Sequence, residues 1–128
     1  MAMKPLQALL VEDSPVIREN LIAALEEMTP LRVVATAEDE AGALQLLSRP
    51  EPGVDIAIVD IFLARGSGLN ILRTLQAQGS RIERVVLTNH ATPAMRRQCL
   101  ALGASRVFDK SGEIDALIEH CLGRATEA

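Results

Sequence analysis

The sequence predicts an α/β fold in which helices cover both faces of a parallel β-sheet. Short apolar runs rich in valine, isoleucine and leucine recur along the chain, and each is followed by a segment whose apolar residues have helical spacing. Strand and helix alternate five times in this way, which is typical of parallel sheets. The 128 residues fit one domain, placed at 1–128 with its core at about 6–122. Residues 123–128 are small and polar, and we interpret them as a tail or the start of a linker.

The five apolar runs are predicted to be buried strands, because parallel strands covered on both faces are continuously apolar. In chain order they are residues 6–11, 31–37, 54–59, 85–87 and 106–108. The segments between and after them each place apolar residues on one helical face. These faces are formed by Ile17, Leu21, Leu25 and Met28; Ala43, Leu44 and Leu47; Leu69, Leu72 and Leu75; Met95, Cys99 and Leu102; and Ile114, Leu117, Ile118 and Cys121. The two cysteines are therefore expected to be buried free thiols.

The ends of several helices carry their own signals. Ser14 and Thr92 are predicted N-caps, since each offers a hydroxyl and is followed by a proline at the first helical position. Gly103 is predicted to end the fourth helix. His120 is expected to face solvent on the last helix.

Composition excludes several classes of function. The net charge is -4 and arginine is clustered only at Arg96 and Arg97, so we expect no direct binding of nucleic acid by this segment. No apolar run reaches the roughly 18 to 20 residues that cross a bilayer, and the first residues do not resemble a signal peptide. We expect a cytoplasmic protein without membrane contact.

Polar residues follow the predicted strands, at the edge of a parallel sheet where ligands bind. Glu12 and Asp13 follow the first strand, Asp60 the third, Thr88 the fourth and Lys110 the fifth. Converging carboxylates favour a hard divalent cation such as Mg²⁺, and a compact ammonium binds phosphate as a point charge. The set predicts an aspartyl phosphate at Asp60.

Each of these residues also has an ordinary structural role when it is considered alone. An acidic pair after a strand often caps the next helix, a threonine after a strand is often a turn residue, and a lysine is often a solvated charge. The occurrence of all of them at strand ends is what favours the functional interpretation.

With these motifs, the chain resembles the receiver domain of bacterial two-component response regulators. The resemblance rests on the acidic pair Glu12-Asp13, on Asp60 within Ile58-Val59-Asp60-Ile61, on the turn Gly66-Ser67-Gly68, on Val86-Leu87-Thr88, and on Gly103-Ala104 followed by Phe108-Asp109-Lys110. It implies a flavodoxin-like, doubly wound five-stranded sheet of order 2-1-3-4-5 with five helices. The first and third strands are then neighbours.

The resemblance also implies roles for the site residues. Asp60 accepts a phosphoryl group from a histidine kinase or a histidine phosphotransfer protein. Mg²⁺ is held by Asp13, Asp60 and the backbone carbonyl of Phe62, with Glu12 assisting through water. Lys110 and Thr88 contact phosphoryl oxygens, and the protein is a signalling switch whose only chemistry is its own phosphotransfer and dephosphorylation.

The resemblance further implies how the signal leaves the domain. The face of the fourth helix, fifth strand and fifth helix responds to phosphorylation. It acts on a partner protein or on an effector domain outside this chain, and it is a possible homodimer surface.

Four positions depart from the family pattern or modify it. Val107 occupies the position of an aromatic residue that usually reports phosphorylation, and Asn89 stands where a small residue is usual. Phe62 and His90 are placed to screen the water that hydrolyses the phosphoryl group, and the bulk of Phe62 predicts slow self-dephosphorylation.

Two other functions are alternatives to this switch. A receiver-like adaptor would act by protein contact without phosphorylation, and the departures at Val107 and Asn89 leave room for it. A phosphohydrolase with an aspartyl nucleophile would need a second acid/base aspartate shortly after the first, and residues 61–64 supply none.

Overall fold

The computed structural model describes residues 5–51 and 53–126, and these form one five-stranded parallel sheet with five helices. The strands are β1 Gln7–Val11, β2 Arg32–Ala37, β3 Ile56–Val59, β4 Glu83–Thr88 and β5 Arg106–Asp109. The helices are α1 Pro15–Met28, α2 Glu40–Leu47, α3 Gly68–Ala77, α4 Pro93–Ala101 and α5 Ile114–Thr126. The strand order is β2-β1-β3-β4-β5, which confirms the predicted fold class.

The register of the strands brings the polar strand ends to one edge of the sheet. Val11, the last residue of β1, is level with Val59, the last residue of β3. At the other side of β3, Thr88 of β4 is level with Asp109 of β5. The residues that follow these positions therefore emerge at the same edge, beside the point where the chain reverses its direction across the sheet.

The core consists of two apolar layers, one on each face of the sheet. Successive strand residues point to opposite faces. Leu10, Ile58 and Phe108 pack with residues of α1 and α5, whereas Leu9 and Val59 pack with residues of α2 and α3. A third apolar cluster continues the second layer towards α4 and includes Val107 and Cys99.

The helix boundaries confirm the predicted signals. The hydroxyl of Ser14 accepts a hydrogen bond from the N–H of Ile17 at 3.3 Å, and that of Thr92 accepts one from Met95 at 3.1 Å. Gly103 follows α4 with φ 95°, a left-handed conformation that favours glycine.

Two expectations about the helices need correction. On α1 the buried apolar residues are Leu21 and Leu25, while Ile17 and Met28, which lie near the two ends of the helix, are 37% and 59% exposed. His120 does not face solvent. Its Nε2 lies 2.7 Å from Oε2 of Glu83, and its side chain is 14% exposed. A carboxylate at the start of β4 thus holds this ring against the sheet.

The predicted tail overlaps the last helix. α5 continues to Thr126, while Glu127 and Ala128 lie outside the described residues. Among the described residues, no helix combines the length and the apolar character that crossing a membrane requires. Both cysteines are buried and free, as expected, and burial raises the pKa of Cys121 to about 12, with the charge of Glu83 adding to the effect.

Candidate functional site

Three carboxylates meet where β1 and β3 end. The backbone N–H of Asp60 donates to the carbonyl of Val11 at 3.1 Å, so Asp60 continues the pairing of the two strands by one residue. Glu12, Asp13 and Asp60 each place one carboxylate oxygen within 4.8 Å of the other two. Glu12 and Asp60 are buried, and Asp13 is half-buried at the surface.

Lys110 lies between two of these carboxylates. Its Nζ donates to Oδ2 of Asp60 at 2.8 Å and to Oε1 of Glu12 at 2.5 Å. The three side chains are 9%, 8% and 2% exposed respectively. Burial acts to lower the pKa of Lys110, but the hydrogen bonds and charges of Asp60 and Glu12 outweigh burial and raise that pKa above its usual value. Lys110 is therefore an ammonium at neutral pH.

The strand pairing explains why the lysine reaches this position. The N–H of Lys110 donates to the carbonyl of Thr88 at 3.0 Å, which extends the β4–β5 ladder by one residue. Its side chain then crosses the edge of the sheet towards the ends of β1 and β3. The sequence prediction that Lys110 joins Glu12, Asp13 and Asp60 matches this geometry.

Three of the remaining carboxylate oxygens accept hydrogen bonds from backbone N–H groups. Oδ2 of Asp13 accepts from the N–H of Ala64 at 2.7 Å, and Oδ1 of Asp60 accepts from the N–H of Phe62 at 3.3 Å. Oε2 of Glu12 accepts from the N–H of Ser14 at 3.0 Å. Three carboxylates face one ammonium, so an excess of negative charge remains. This donor set of hard oxygen atoms fits a small divalent cation such as Mg²⁺.

The loop after β3, residues 61–67, turns back tightly on Asp60. Phe62 and Ser67 form an antiparallel bridge, and the N–H of Gly68 donates to the carbonyl of Ile61 at 3.0 Å. A Cβ on Gly68 would lie 2.2 Å from the carbonyl oxygen of Asp60, so only glycine fits at this position. The turn predicted at Gly66-Ser67-Gly68 is thus a structural requirement of the site.

Thr88, Asn89 and His90 occupy different environments. Thr88 is fully buried, and its hydroxyl accepts from the N–H of His90 at 3.2 Å. Asn89 and His90 are exposed and line a cleft together with Asp60 and Lys110. The hydroxyl of Thr88 is turned towards the backbone of the following loop.

An aromatic pair covers one side of the cleft. The rings of Phe62 and His90 are 4.6 Å apart between centroids and meet edge to face, and Phe62 is 52% exposed. The two residues that the sequence assigned to the control of hydrolysis therefore contact each other beside Asp60.

Val107 is buried on the α4 side of the sheet, and its backbone has an unexpected partner. Nη1 of Arg96 donates to the carbonyl of Val107 at 2.8 Å, and Nε of Arg96 donates to the carbonyl of Ala91 at 3.0 Å. Nη2 of Arg96 also pairs with Glu113 at 2.7 Å. No role for Arg96 or Glu113 could be predicted from the sequence, because Arg96 binds backbone carbonyls and Glu113 binds the N–H of Asp109, and contacts to backbone groups leave no pattern of residue types.

Comparisons with known proteins agree with this geometry. The sequence model of the family described as the response regulator receiver domain matches residues 8–122. The protein-glutamate methylesterase/protein-glutamine glutaminase 5 of Anaeromyxobacter dehalogenans is 35% identical over 111 residues, which are 84% of this chain and 29% of that protein. A probable transcriptional regulatory protein of Picosynechococcus is 32% identical over 118 residues, which are 88% of this chain and 46% of that protein. The chain spans less than half the length of these two relatives.

Solved structures show the same fold. The signal receiver domain of the response regulator NarL from Mycobacterium tuberculosis superposes with a TM-score of 0.84 at 23% identity, covering 98% of this chain and 99% of that one. A response regulator protein from Burkholderia pseudomallei, solved with a phosphorylated aspartic acid and a calcium ion, gives a TM-score of 0.77 at 24% identity, covering 94% and 69% of the two chains.

Proposed function

The chain belongs to the family of response regulator receiver domains, and we propose from this premise that it is a phosphorylation-controlled switch. Asp60 accepts a phosphoryl group from a phosphohistidine of a histidine kinase or a histidine phosphotransfer protein, in a reaction that depends on Mg²⁺. The observation that carries this proposal is the convergence of Glu12, Asp13 and Asp60 on one edge of the sheet, with the ammonium of Lys110 between Glu12 and Asp60.

In the proposed transfer, a carboxylate oxygen of Asp60 attacks the phosphorus and the bond to the donor's histidine nitrogen breaks. Asp13, Asp60 and the carbonyl of Phe62 would hold Mg²⁺, with Glu12 assisting through water. The bound cation would supply positive charge next to the phosphoryl oxygens. Lys110 already contacts Oδ2 of Asp60, and it donates to a phosphoryl oxygen after the transfer. The phosphorylated aspartate and divalent ion of the similar Burkholderia structure support this assignment.

Hydrolysis of the phosphoryl group is proposed to be slow. The edge-to-face pair of Phe62 and His90 screens one side of the cleft from a water molecule that attacks at Asp60, and the exposed Asn89 narrows the same cleft. A phosphoprotein half-life of minutes or longer is expected, and a half-life of seconds would contradict this part of the proposal.

The signal is proposed to leave through the face formed by α4, β5 and α5, which we call the α4–β5–α5 face. The hydroxyl of Thr88 is bonded to the loop that follows it, and a new bond to a phosphoryl oxygen would displace that loop. Arg96 connects the loop, through the carbonyl of Ala91, with the carbonyl of Val107 on β5 and with Glu113 beside α5. Through these contacts Arg96 links the loop after Thr88 to the α4–β5–α5 face. The side chain of Val107 does not supply such a link.

The output itself is proposed to lie with a partner protein or with an effector domain, since the part matched by this chain is only 29% and 46% of the two relatives described above. We propose a cytoplasmic location and no direct contact of this segment with nucleic acid or membrane. Pairing of two copies through the α4–β5–α5 face is a further part of the proposal.

Phosphorylation at Asp60 is tested with acetyl phosphate and Mg²⁺. The wild-type protein is expected to incorporate acid-labile phosphate, and Asp60→Asn to incorporate none. Asp115→Asn, which changes an exposed carboxylate on α5, serves as the matched control and should label as the wild type does. Undiminished labelling of Asp60→Asn would overturn the assignment. An unlabelled wild type that binds no Mg²⁺ would favour the adaptor that acts without phosphorylation.

A further inference from the structure

Glu40 contacts the loop after β3 at several points, although it lies on a different element of the fold. It is the first residue of α2, and its Oε1 accepts from the N–H of Ser67 and from Nδ2 of Asn70, each at 3.0 Å. The backbone N–H of Glu40 donates to the carbonyl of Arg65 at 3.2 Å. One residue of α2 therefore holds three successive parts of the chain that runs from β3 into α3.

Gly66 is shaped to fit this contact. It has φ 82°, which few residues with side chains adopt, and a Cβ there would lie 2.5 Å from Cβ of Glu40 and 2.7 Å from its Oε1. The loop thus passes against Glu40 with no room for a side chain between them. The position of the loop is therefore fixed by this close packing in addition to the hydrogen bonds of Glu40.

The same loop carries backbone groups of the site. Ser67, whose N–H is bound by Glu40, forms the antiparallel bridge with Phe62. The N–H of Phe62 contacts Asp60, and the N–H of Ala64 contacts Asp13. Glu40 holds the loop on the side of α2, and the carboxylates of the site hold it on the other side.

We propose that Glu40 is a positioning residue for the cation site, because it fixes the loop that carries the carbonyl of Phe62 and orients Asp13. That a cation binds at this site rests on the proposed function. That Glu40 orders the loop does not depend on that function. Partners that orient ligands typically change metal affinity by 10- to 100-fold. Since Glu40 acts through the backbone of Ser67, we expect Glu40→Ala to lower the affinity for the cation by about tenfold, the low end of this range.

A carboxylate in the first turn of a helix also stabilises that helix through its dipole. Glu40→Gln separates the two roles, because it removes the charge and keeps an Oε1 that accepts from Ser67. A role limited to α2 predicts that Glu40→Gln resembles Glu40→Ala. The positioning role predicts that it remains close to the wild type.

The first measurement is amide hydrogen exchange in the absence of metal. In Glu40→Ala the amide of Ser67 should exchange about tenfold faster or more, as expected for the loss of a hydrogen bond to a charged acceptor. Glu40→Gln should exchange less than about threefold faster than the wild type. Glu38→Ala, a change at an exposed carboxylate two residues earlier, should leave the exchange of Ser67 unchanged.

The second measurement is titration of each variant with Mg²⁺ alone. Glu40→Ala should bind about tenfold more weakly than the wild type, and Glu40→Gln and Glu38→Ala should bind as the wild type does. Asn70→Ala keeps the bond to Ser67 and removes one side-chain donor, so it should weaken binding less than Glu40→Ala. It serves as the second loop variant if Glu40→Ala does not fold.

The outcomes separate this inference from the proposed function. Unchanged exchange of Ser67 and unchanged Mg²⁺ affinity in Glu40→Ala would overturn the inference, while wild-type labelling of Asp60 would leave the proposed function intact. A wild type that neither binds Mg²⁺ nor accepts phosphate would overturn the proposed function. Faster exchange of Ser67 in that case would confine the role of Glu40 to the order of the loop.

Discussion

Two cationic side chains, those of Lys110 and Arg96, organise two regions of this molecule in different ways. At the edge of the sheet, Lys110 lies between Glu12 and Asp60, and all three side chains are less than 10% exposed. On the α4–β5–α5 face, Arg96 and Glu113 are 37% and 39% exposed, and the other partners of Arg96 are backbone carbonyls. Lys110 neutralises buried charge, whereas Arg96 joins the backbone at Ala91 and Val107 with the side chain of Glu113.

The difference in burial determines what each cation contributes. Charges removed from water are costly to leave unpaired, so each member of the buried group depends on the others. Exposed ion pairs contribute little free energy, and their value lies in the geometry that they maintain. We therefore expect substitutions at the sheet edge to change stability strongly and substitutions on the face to change mainly the connection between segments.

The largest effect is expected for Lys110→Ala in the absence of metal. The substitution leaves the buried carboxylates of Glu12 and Asp60 without their cation, and removal of one partner from a buried ion pair typically costs about 3–5 kcal/mol. The free energy of unfolding should fall by about this amount in urea titrations. Addition of Mg²⁺ should recover part of the loss if the cation binds between the same carboxylates.

The double variant Lys110→Ala with Asp60→Asn tests the cause. Because one of the three neighbouring carboxylate charges is removed, the double variant should be more stable than Lys110→Ala alone. A loss below about 1 kcal/mol for Lys110→Ala would show that water solvates the carboxylates, and the contrast between the two regions would not hold.

A smaller effect is expected for Arg96→Ala. The substitution removes the hydrogen bonds to the carbonyls of Ala91 and Val107, and water has access to this half-exposed region. We expect a loss of about 1 kcal/mol, measured by urea unfolding. Arg97→Ala, the adjacent and more exposed arginine on α4, should change stability by less than about 0.5 kcal/mol. Equal effects of the two substitutions would contradict the role of Arg96.

The smallest effect concerns the dependence of stability on pH at Glu83, the first residue of β4, which contacts α5 through His120 and Arg124. Burial acts to raise the pKa of Glu83, but hydrogen bonds from Ser105, His120 and Arg124 outweigh it, so this pKa lies below its usual value of 4.5. A lowered carboxyl pKa contributes stability that is present above pH 4.5 and is lost as the pH falls through the folded-state value.

The stability of Glu83→Gln should therefore fall less steeply than that of the wild type as the pH decreases below 4.5. The measurement is the free energy of unfolding over a pH series. Glu27→Gln, a change at an exposed carboxylate of α1, should leave that slope unchanged. Parallel slopes for the wild type and Glu83→Gln would mean that the contacts of Glu83 do not persist in solution.

The fold and the sheet-edge cluster could be predicted from the sequence for physical reasons. Buried parallel strands are continuously apolar, so their ends are visible in the sequence, and charged residues at those ends need partners. Asp13, Asp60 and Lys110 are separated widely in the chain, yet the strand order alone brings them together.

The bonds of Arg96 and Glu40 to the backbone could not be predicted in this way. Arg96 binds carbonyls and Glu40 binds the N–H of Ser67, and backbone groups are the same for every residue. The environment of His120 was predicted wrongly for a related reason. Helical spacing locates a residue on its own helix, but it does not show that Glu83, at the start of a strand, reaches the same point.

The alternation of side chains along β5 has a mechanical consequence. Val107 lies in the apolar layer beneath α4, and the next residue, Phe108, lies in the layer beneath α1 and α5. A rotation of β5 about its long axis must move these two side chains in opposite directions. One torsional movement of a single strand would thus shift side-chain packing in both helical layers at once, in opposite senses.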